Sequence, residues 1–400
     1  NPQPTLGFEY SATVGSNATG AEIDATEVCF DESIFTIQGT HITGSATTKS
    51  NATSGLFQLY TDAGATTLAN NVNNGFVDLN GSDDGKATIN ASVIALENGG
   101  TREGLPLTFY IKFTYSDGNG CPNSKIESIQ INPEPTVGFE YTTVVGANAV
   151  GTELDNTEVC YDAGVFTIQG THITGAATTK ANAGSGTFGI FTNATATISL
   201  ATGGFVDKGD GTATFDAAAI ATSRGETREG LPSVYYIKFT YGDANGCDNS
   251  IIETIQINPE PTLGFNYTTV VGANAIGTEV DNTEVCYDEA TFTIQGTHIT
   301  GAATVKADAT SGTYGIFTDA AATTALTTGG FVDGGNGTAT FNAAAIATSN
   351  SETREGLPSV YYIKFTYGDA NGCDNSVIEK IQVNPQPTLG FEYSATVGSN

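Results

Sequence analysis

Three histidines, His41, His172 and His298, are the first residues to test for chemistry, because imidazole serves as base, proton shuttle and metal ligand. Each stands alone in an identical Gly-Thr-His-Ile-Thr-Gly context. Nucleophilic catalysis needs a nucleophile, a base and an orienting group that converge, and no serine motif or second histidine accompanies any of the three. They read as polar surface residues on a strand or turn. Acidic residues recur with a fixed spacing: Glu153, Asp155 and Glu158 reappear as Glu22, Asp24 and Glu27, and again as Glu279, Asp281 and Glu284. Calcium takes about six to eight oxygen ligands and could stiffen a multidomain array, so Glu153, Asp155 and Glu158 are candidate calcium ligands. The spacing matches no calcium-loop signature, and solvated acidic turns are the default reading. Lys238, with Lys112 and Lys364, raises an intramolecular isopeptide bond. Its alternation places it opposite Ile237 and Phe239, away from the buried setting such a bond needs. Arg102, Arg228 and Arg354 fall in a Thr-Arg-Glu-Gly-Leu-Pro turn and are expected to anchor that loop by local pairing. No residue is expected to be catalytic or cofactor-binding, and the chain is expected not to be an enzyme.

Six cysteines complete the set: Cys29 and Cys121, Cys160 and Cys247, Cys286 and Cys373. The first of each pair lies in Glu-Val-Cys-Phe/Tyr-Asp, and the second follows an Asn-Gly turn. An even count in an acidic, Thr-rich chain predicts one structural disulfide within each repeat. Closing a loop of about 88 residues would contribute roughly 4–5 kcal/mol in the chain-entropy model. Reduced, buried cysteines are the alternative. Zinc is disfavoured, since no CxxC pair or histidine cluster is present.

These residues recur because the chain is a tandem array. Asn-Pro-Gln/Glu-Pro opens at Asn1, Asn132, Asn258 and Asn384, which divides the sequence into repeats at 1–131, 132–257 and 258–383. Residues 384–400 are expected to form the first strand of a truncated fourth. The period far exceeds that of a solenoid, so each repeat should hold its own core. Within the second repeat, Val165–Gln169 alternates with Phe166 and Ile168 inward and Val165 outward. Val137–Tyr141, Phe188–Phe191 and Thr212–Phe215 also read as strands. In Ser233–Tyr241, Tyr235, Ile237, Phe239 and Tyr241 share one face, and Ile251–Ile257 is a last strand. Asp216–Ile220 could form one helical turn. About seven short strands and turn-rich connections predict an all-β fold of tandem Ig-like β-sandwich domains. The two prolines of each link fix φ and disfavour helix, so restricted hinging and an extended rod are expected.

Composition excludes several functions. Lys plus Arg number 14 against 43 Asp plus Glu, a net charge of -29, whereas nucleic-acid binding needs a basic stripe. Anionic membrane surfaces are disfavoured for the same reason, and no apolar stretch is long enough to span a bilayer. With 21 Phe and 16 Tyr in periodic runs, disorder is a poor alternative. The absence of Met and of a signal-like segment suggests a piece internal to a longer precursor.

Gly-Thr-Ala-Thr-Phe-Asp-Ala-Ala-Ala-Ile (211–220), Tyr-Tyr-Ile-Lys-Phe-Thr-Tyr-Gly-Asp-Ala-Asn-Gly-Cys (235–247) and the Asn-Pro-Glu-Pro link together resemble the Ig-like repeats of large Bacteroidetes surface proteins, of which flavobacterial gliding adhesins of the SprB type are the best-known setting. The resemblance covers the C-terminal half of each repeat. It implies export by the type IX secretion system, an extracellular location on the cell surface, and a role in adhesion or motility. The expected function is a structural stalk or filament segment of a giant adhesin. The alternative is a multivalent array in which exposed loops, with Tyr236 and Phe191, bind polysaccharide or a surface partner. Expected partners are neighbouring repeats of the same chain, other surface proteins or polysaccharide, and laterally associated copies.

Overall fold

The computed structural model describes residues 3–44, 46–79, 85–175, 179–230, 232–300, 305–356 and 358–392. In the first repeat the order is β1 (Thr5–Tyr10), β2 (Thr26–Cys29), β3 (Phe35–Ile42), β4 (Ser50–Asn51), β5 (Leu56–Tyr60), β6 (Phe76–Leu79), β7 (Lys86–Ile89), α1 (Ala91–Glu97), β8 (Leu107–Ser116) and β9 (Pro122–Asn132). The other two repeats follow the same order. Among the described residues, nine strands per repeat exceed the expected seven or so, because β2, β4 and the counterpart of β6 in the second repeat (Phe205–Asp207) are too short to leave a periodic signal.

The strands form two sheets. One runs β1-β3-β7-β6 with β4 on β3, and the other runs β2-β9-β8-β5. Packed face to face, they make an Ig-like β-sandwich. Among the described residues all pairs are antiparallel except β2 with β9, which run parallel so that Cys29 lies opposite Asn132. Alternation predicts the core correctly: Phe166, Ile168, Tyr235, Ile237 and Phe239 are buried, while Val165 is 67% exposed. Tyr241 departs from this pattern and is only half-buried. Three separate apolar clusters result, one from each repeat.

Close approach of the sheets depends on one glycine per repeat. A Cβ on Gly39, Gly170 or Gly296 would stand 2.2–2.3 Å from the ring of Phe113, Phe239 or Phe365. The bare backbone therefore lets an aromatic ring of one sheet lie flat on the other. The expected helical turn is a seven-residue helix, Ala217–Ser223, capped by Asp216, whose side chain accepts from Ala219 N at 3.0 Å. Among the described residues no helix is long and apolar enough to cross a membrane.

The strand expected at the start of 384–400 is not formed over 385–392; the remainder lies outside the described residues. The equivalent β1 exists by pairing with β3, and residues 385–392 have no such neighbour here.

Candidate functional site at the repeat junction

Strand geometry decides what the cysteines can do. Cys29 ends β2, level with Asn132 at the finish of β9, where the chain leaves the repeat. Cys121 precedes Pro122 at the other end of the same 11-residue strand. An extended strand of that length spans about 36 Å, whereas a disulfide needs Cα atoms within about 7 Å. The expected bond within a repeat is therefore impossible, and the expectation is corrected. Cys29 is bonded to Cys247, and Cys160 to Cys373, with Cα atoms 5.6 and 5.5 Å apart. The first cysteine of one repeat thus takes the second cysteine of the next. Cys121 and Cys286, which would need a preceding and a following repeat, are free thiols here.

The second cysteine arrives on a rigid hairpin tip. Asp243 Oδ1 accepts from Asn245 N at 2.9 Å and Cys247 N at 3.0 Å, which closes the Asp-Ala-Asn-Gly turn. This tip meets the preceding repeat at a cleft lined by Gly15, Glu27, Cys29 and Glu32 on one side and Asn245 and Gly246 on the other. Once seated, Cys247 and Cys373 are fully buried.

The link itself is also sequestered. Asn132, Pro133, Glu134 and Pro135 are all buried, as are Asn258 to Pro261. Asn132 Nδ2 donates to Glu27 at 2.7 Å. Glu134 accepts from Asp31 N at 3.1 Å, and its own N–H donates to Arg102 O at 2.8 Å. On the far side, Pro135 O accepts from Asn249 Nδ2 of the following repeat at 2.8 Å, and Thr136 bonds Glu103. Both repeats thus contribute hydrogen bonds to the link's polar groups, as burial favours.

Arg102 contributes differently from the expectation. It does not pair locally but reaches Asp31, 71 residues away, at 2.5 Å and Glu134 at 3.6 Å. Arg228 repeats this with Asp162 and Glu260 at 2.6 and 3.3 Å. Burial, together with the Asp31 carboxylate, pushes the Glu134 carboxyl up to about 7, and burial with Asp162 does the same to Glu260. At the third link Gln386 takes this place, and its Oε1 accepts from Asp288 N at 3.2 Å.

The remaining candidates disperse. Glu153 pairs with Lys180 at 2.7 Å, Asp155 accepts from Asn156 and Glu158 accepts from Asn258. Among the described residues no three acidic, His or Cys side chains form a group that could hold a metal ion. His172 is not a free surface residue: it stacks on Tyr241 with centroids 4.5 Å apart, and His41 and His298 do the same on Tyr115 and Tyr367. Lys238 is half-buried on the face opposite Ile237 and Phe239. Phe191 and Tyr236 face each other across neighbouring strands and are half-buried.

No protein-family model matches the chain, and no curated protein matches it. Solved structures do align. One described as a 1.5-MDa bacterial ice-binding adhesin, concerned with host cell surface retention, covers 96% of this chain and 100% of its own at 12% identity and TM-score 0.27. A Ca2+-stabilised adhesin of an Antarctic bacterium covers 96% and 91% at 14% identity and TM-score 0.26. A complex of Dpr2 Ig1-Ig2 with DIP-Theta Ig1-Ig3 covers 96% and 100% at 8% identity and TM-score 0.29.

Proposed function

We propose that the chain is a stiff extender segment of an extracellular bacterial surface adhesin, a shaft that holds another part of the protein away from the cell. The observation that carries this reading is the junction, where a fully buried four-residue link and a disulfide fix each repeat to the next. A flexible string of beads needs neither. Because the two cysteines of a repeat lie at opposite ends of β9, the bonds run head to tail, and length grows with repeat number. A ten-residue strand spans about 33 Å, so three repeats in line would reach on the order of 100 Å. Disulfides persist in oxidising compartments outside the cytosol, which supports the surface location. The net charge of -29 keeps neighbouring shafts apart and in solution. The resemblance to gliding adhesins supports type IX export and a role in adhesion or motility as the finer form of this reading.

Immunogold electron microscopy of intact source cells, with an antibody raised to one repeat, tests the proposal. Gold strung along thin projecting filaments is expected. Gold confined to a compact coat would overturn the shaft.

A further inference from the structure

The bonds do more than stiffen, because their spans overlap. Cys29–Cys247 bridges every peptide bond between those residues, and Cys160–Cys373 bridges every peptide bond from 160 to 373. From Cys29 to Cys373 no peptide bond lies outside a bridge, and between Cys160 and Cys247 each lies inside two. We propose that the staggered disulfides make the shaft tolerant of backbone cleavage: a single cut anywhere between Cys29 and Cys373 leaves the two pieces covalently joined. This deepens the shaft reading and rests on it for its biological value, since continuity matters most in a fibre under tension and exposed to foreign proteases.

The chemistry of a cut is hydrolysis. One water is consumed, the C–N bond breaks, and a carboxylate and an amine are left, while both S–S bonds are untouched. Bonds within each repeat would behave otherwise. Pairing Cys29 with Cys121 and Cys160 with Cys247 would leave residues 121–160 unbridged, including the link, so one cut there would sever the fibre. Placing the first cysteine at the exit end of a repeat and the second at the entry end removes that gap. Free Cys286 occupies the same exit position as Cys29 and Cys160. When it takes the second cysteine of a following repeat, the cover continues without interruption.

The folded structure also exposes places for such cuts. The loop after Tyr141 carries exposed Val144, Ala147, Ala149 and Val150, and a turn in the middle of the second repeat exposes Ala194. Strands on both sides of either loop are held by their neighbours in the sheets, so a nicked repeat has reason to stay folded.

The test uses the full 400-residue chain, oxidised, with a short protease recognition sequence inserted between Ala149 and Val150. After complete cleavage, alkylation and denaturation, one species of undiminished mass is expected without reductant and two fragments with it. Two fragments without reductant would overturn the proposal. In a Cys29→Ser/Cys247→Ser background the same cut should release both fragments unreduced, because Cys160–Cys373 does not span it. A recognition sequence placed at Ala194 instead should leave the pieces joined in that background, and separation there would also overturn the proposal. The readout is covalent connectivity in denaturant, so an inserted sequence that loosens a loop does not obscure it. Failure here would leave the gold-labelling result standing, and a coat instead of filaments would leave the connectivity standing.

Discussion

Between its sheets each repeat is dry and aromatic: in the second, Phe139, Tyr141, Phe215, Tyr235 and Phe239 are fully buried, Phe139 meets Phe239 edge to face, and Phe239 and Phe215 stack on Phe188 and Phe166. At its ends the chemistry is reversed. Asn258, Glu260, Arg228 and Asp162 form a compact polar group around a proline-rich link, closed by a disulfide. Apolar packing is non-directional and suits a core that has only to exclude water. A junction must fix an angle between two bodies, and directional hydrogen bonds with a covalent tie do that. The comparison implies that damage to the core unfolds a repeat locally without parting the array, whereas damage to the junction frees the angle and leaves the repeats folded.

The sharpest way to break that comparison is Phe239→Ala. The ring sits over Gly170 and stacks on Phe188 at 4.4 Å. Its loss should cost about 3–5 kcal/mol through transfer and cavity terms. Hydrogen exchange is expected to show deprotection of Ser233–Gly242, with the matching strands Leu107–Ser116 and Ser359–Gly368 unaffected. Deprotection of all three would mean that the junctions couple the repeats into one cooperative unit.

How far each region was legible in the sequence follows the same division. Alternation in Val165–Gln169 and Ser233–Tyr241 reports which side of a strand is buried, so the sandwich and its core were readable. The junction was not, because it depends on partners far apart in sequence. The deciding element is β2, four residues long and lacking any period, whose parallel pairing with β9 carries Cys29 to the exit end. A usable signal did exist: Cys121 directly precedes a long strand that runs into the next link, which places it at the entry end. The role of Arg102 is hidden for a similar reason, since Asp31 and Glu134 adjoin it only after β2 and β9 have paired.

A smaller effect should come from the polar side. Burial and Asp162 raise the Glu260 carboxyl to about 7, above its ordinary value. A carboxyl shifted upward stabilises the fold fully below its ordinary pKa, and that contribution is lost as pH rises through about 7. Gln386 already carries the neutral form at the equivalent site and keeps the hydrogen bond to Asp288 N. Glu260→Gln should therefore gain on the native chain by about 1–2 kcal/mol between pH 5 and pH 8, less than the full value of the shift. Thermal melts of both proteins across that range provide the check. A difference that does not change with pH would show that Glu260 holds one protonation state throughout.

The smallest effect probes the border between the two regions. His172 lies at the end of its sheet near the docking hairpin, stacked on Tyr241, while its Nδ1 is buried without a hydrogen-bond partner. The stack and the orphaned nitrogen act in opposite directions. His172→Ala removes the ring contact and should cost about 0.5–1.5 kcal/mol. His172→Phe keeps a ring of similar shape and discards the unsatisfied atom, so it should be neutral or slightly stabilising. Urea unfolding of the two variants separates the cases. If Phe proves as damaging as Ala, the imidazole nitrogen has a partner in solution, and this position belongs with the polar junction and not with the aromatic core.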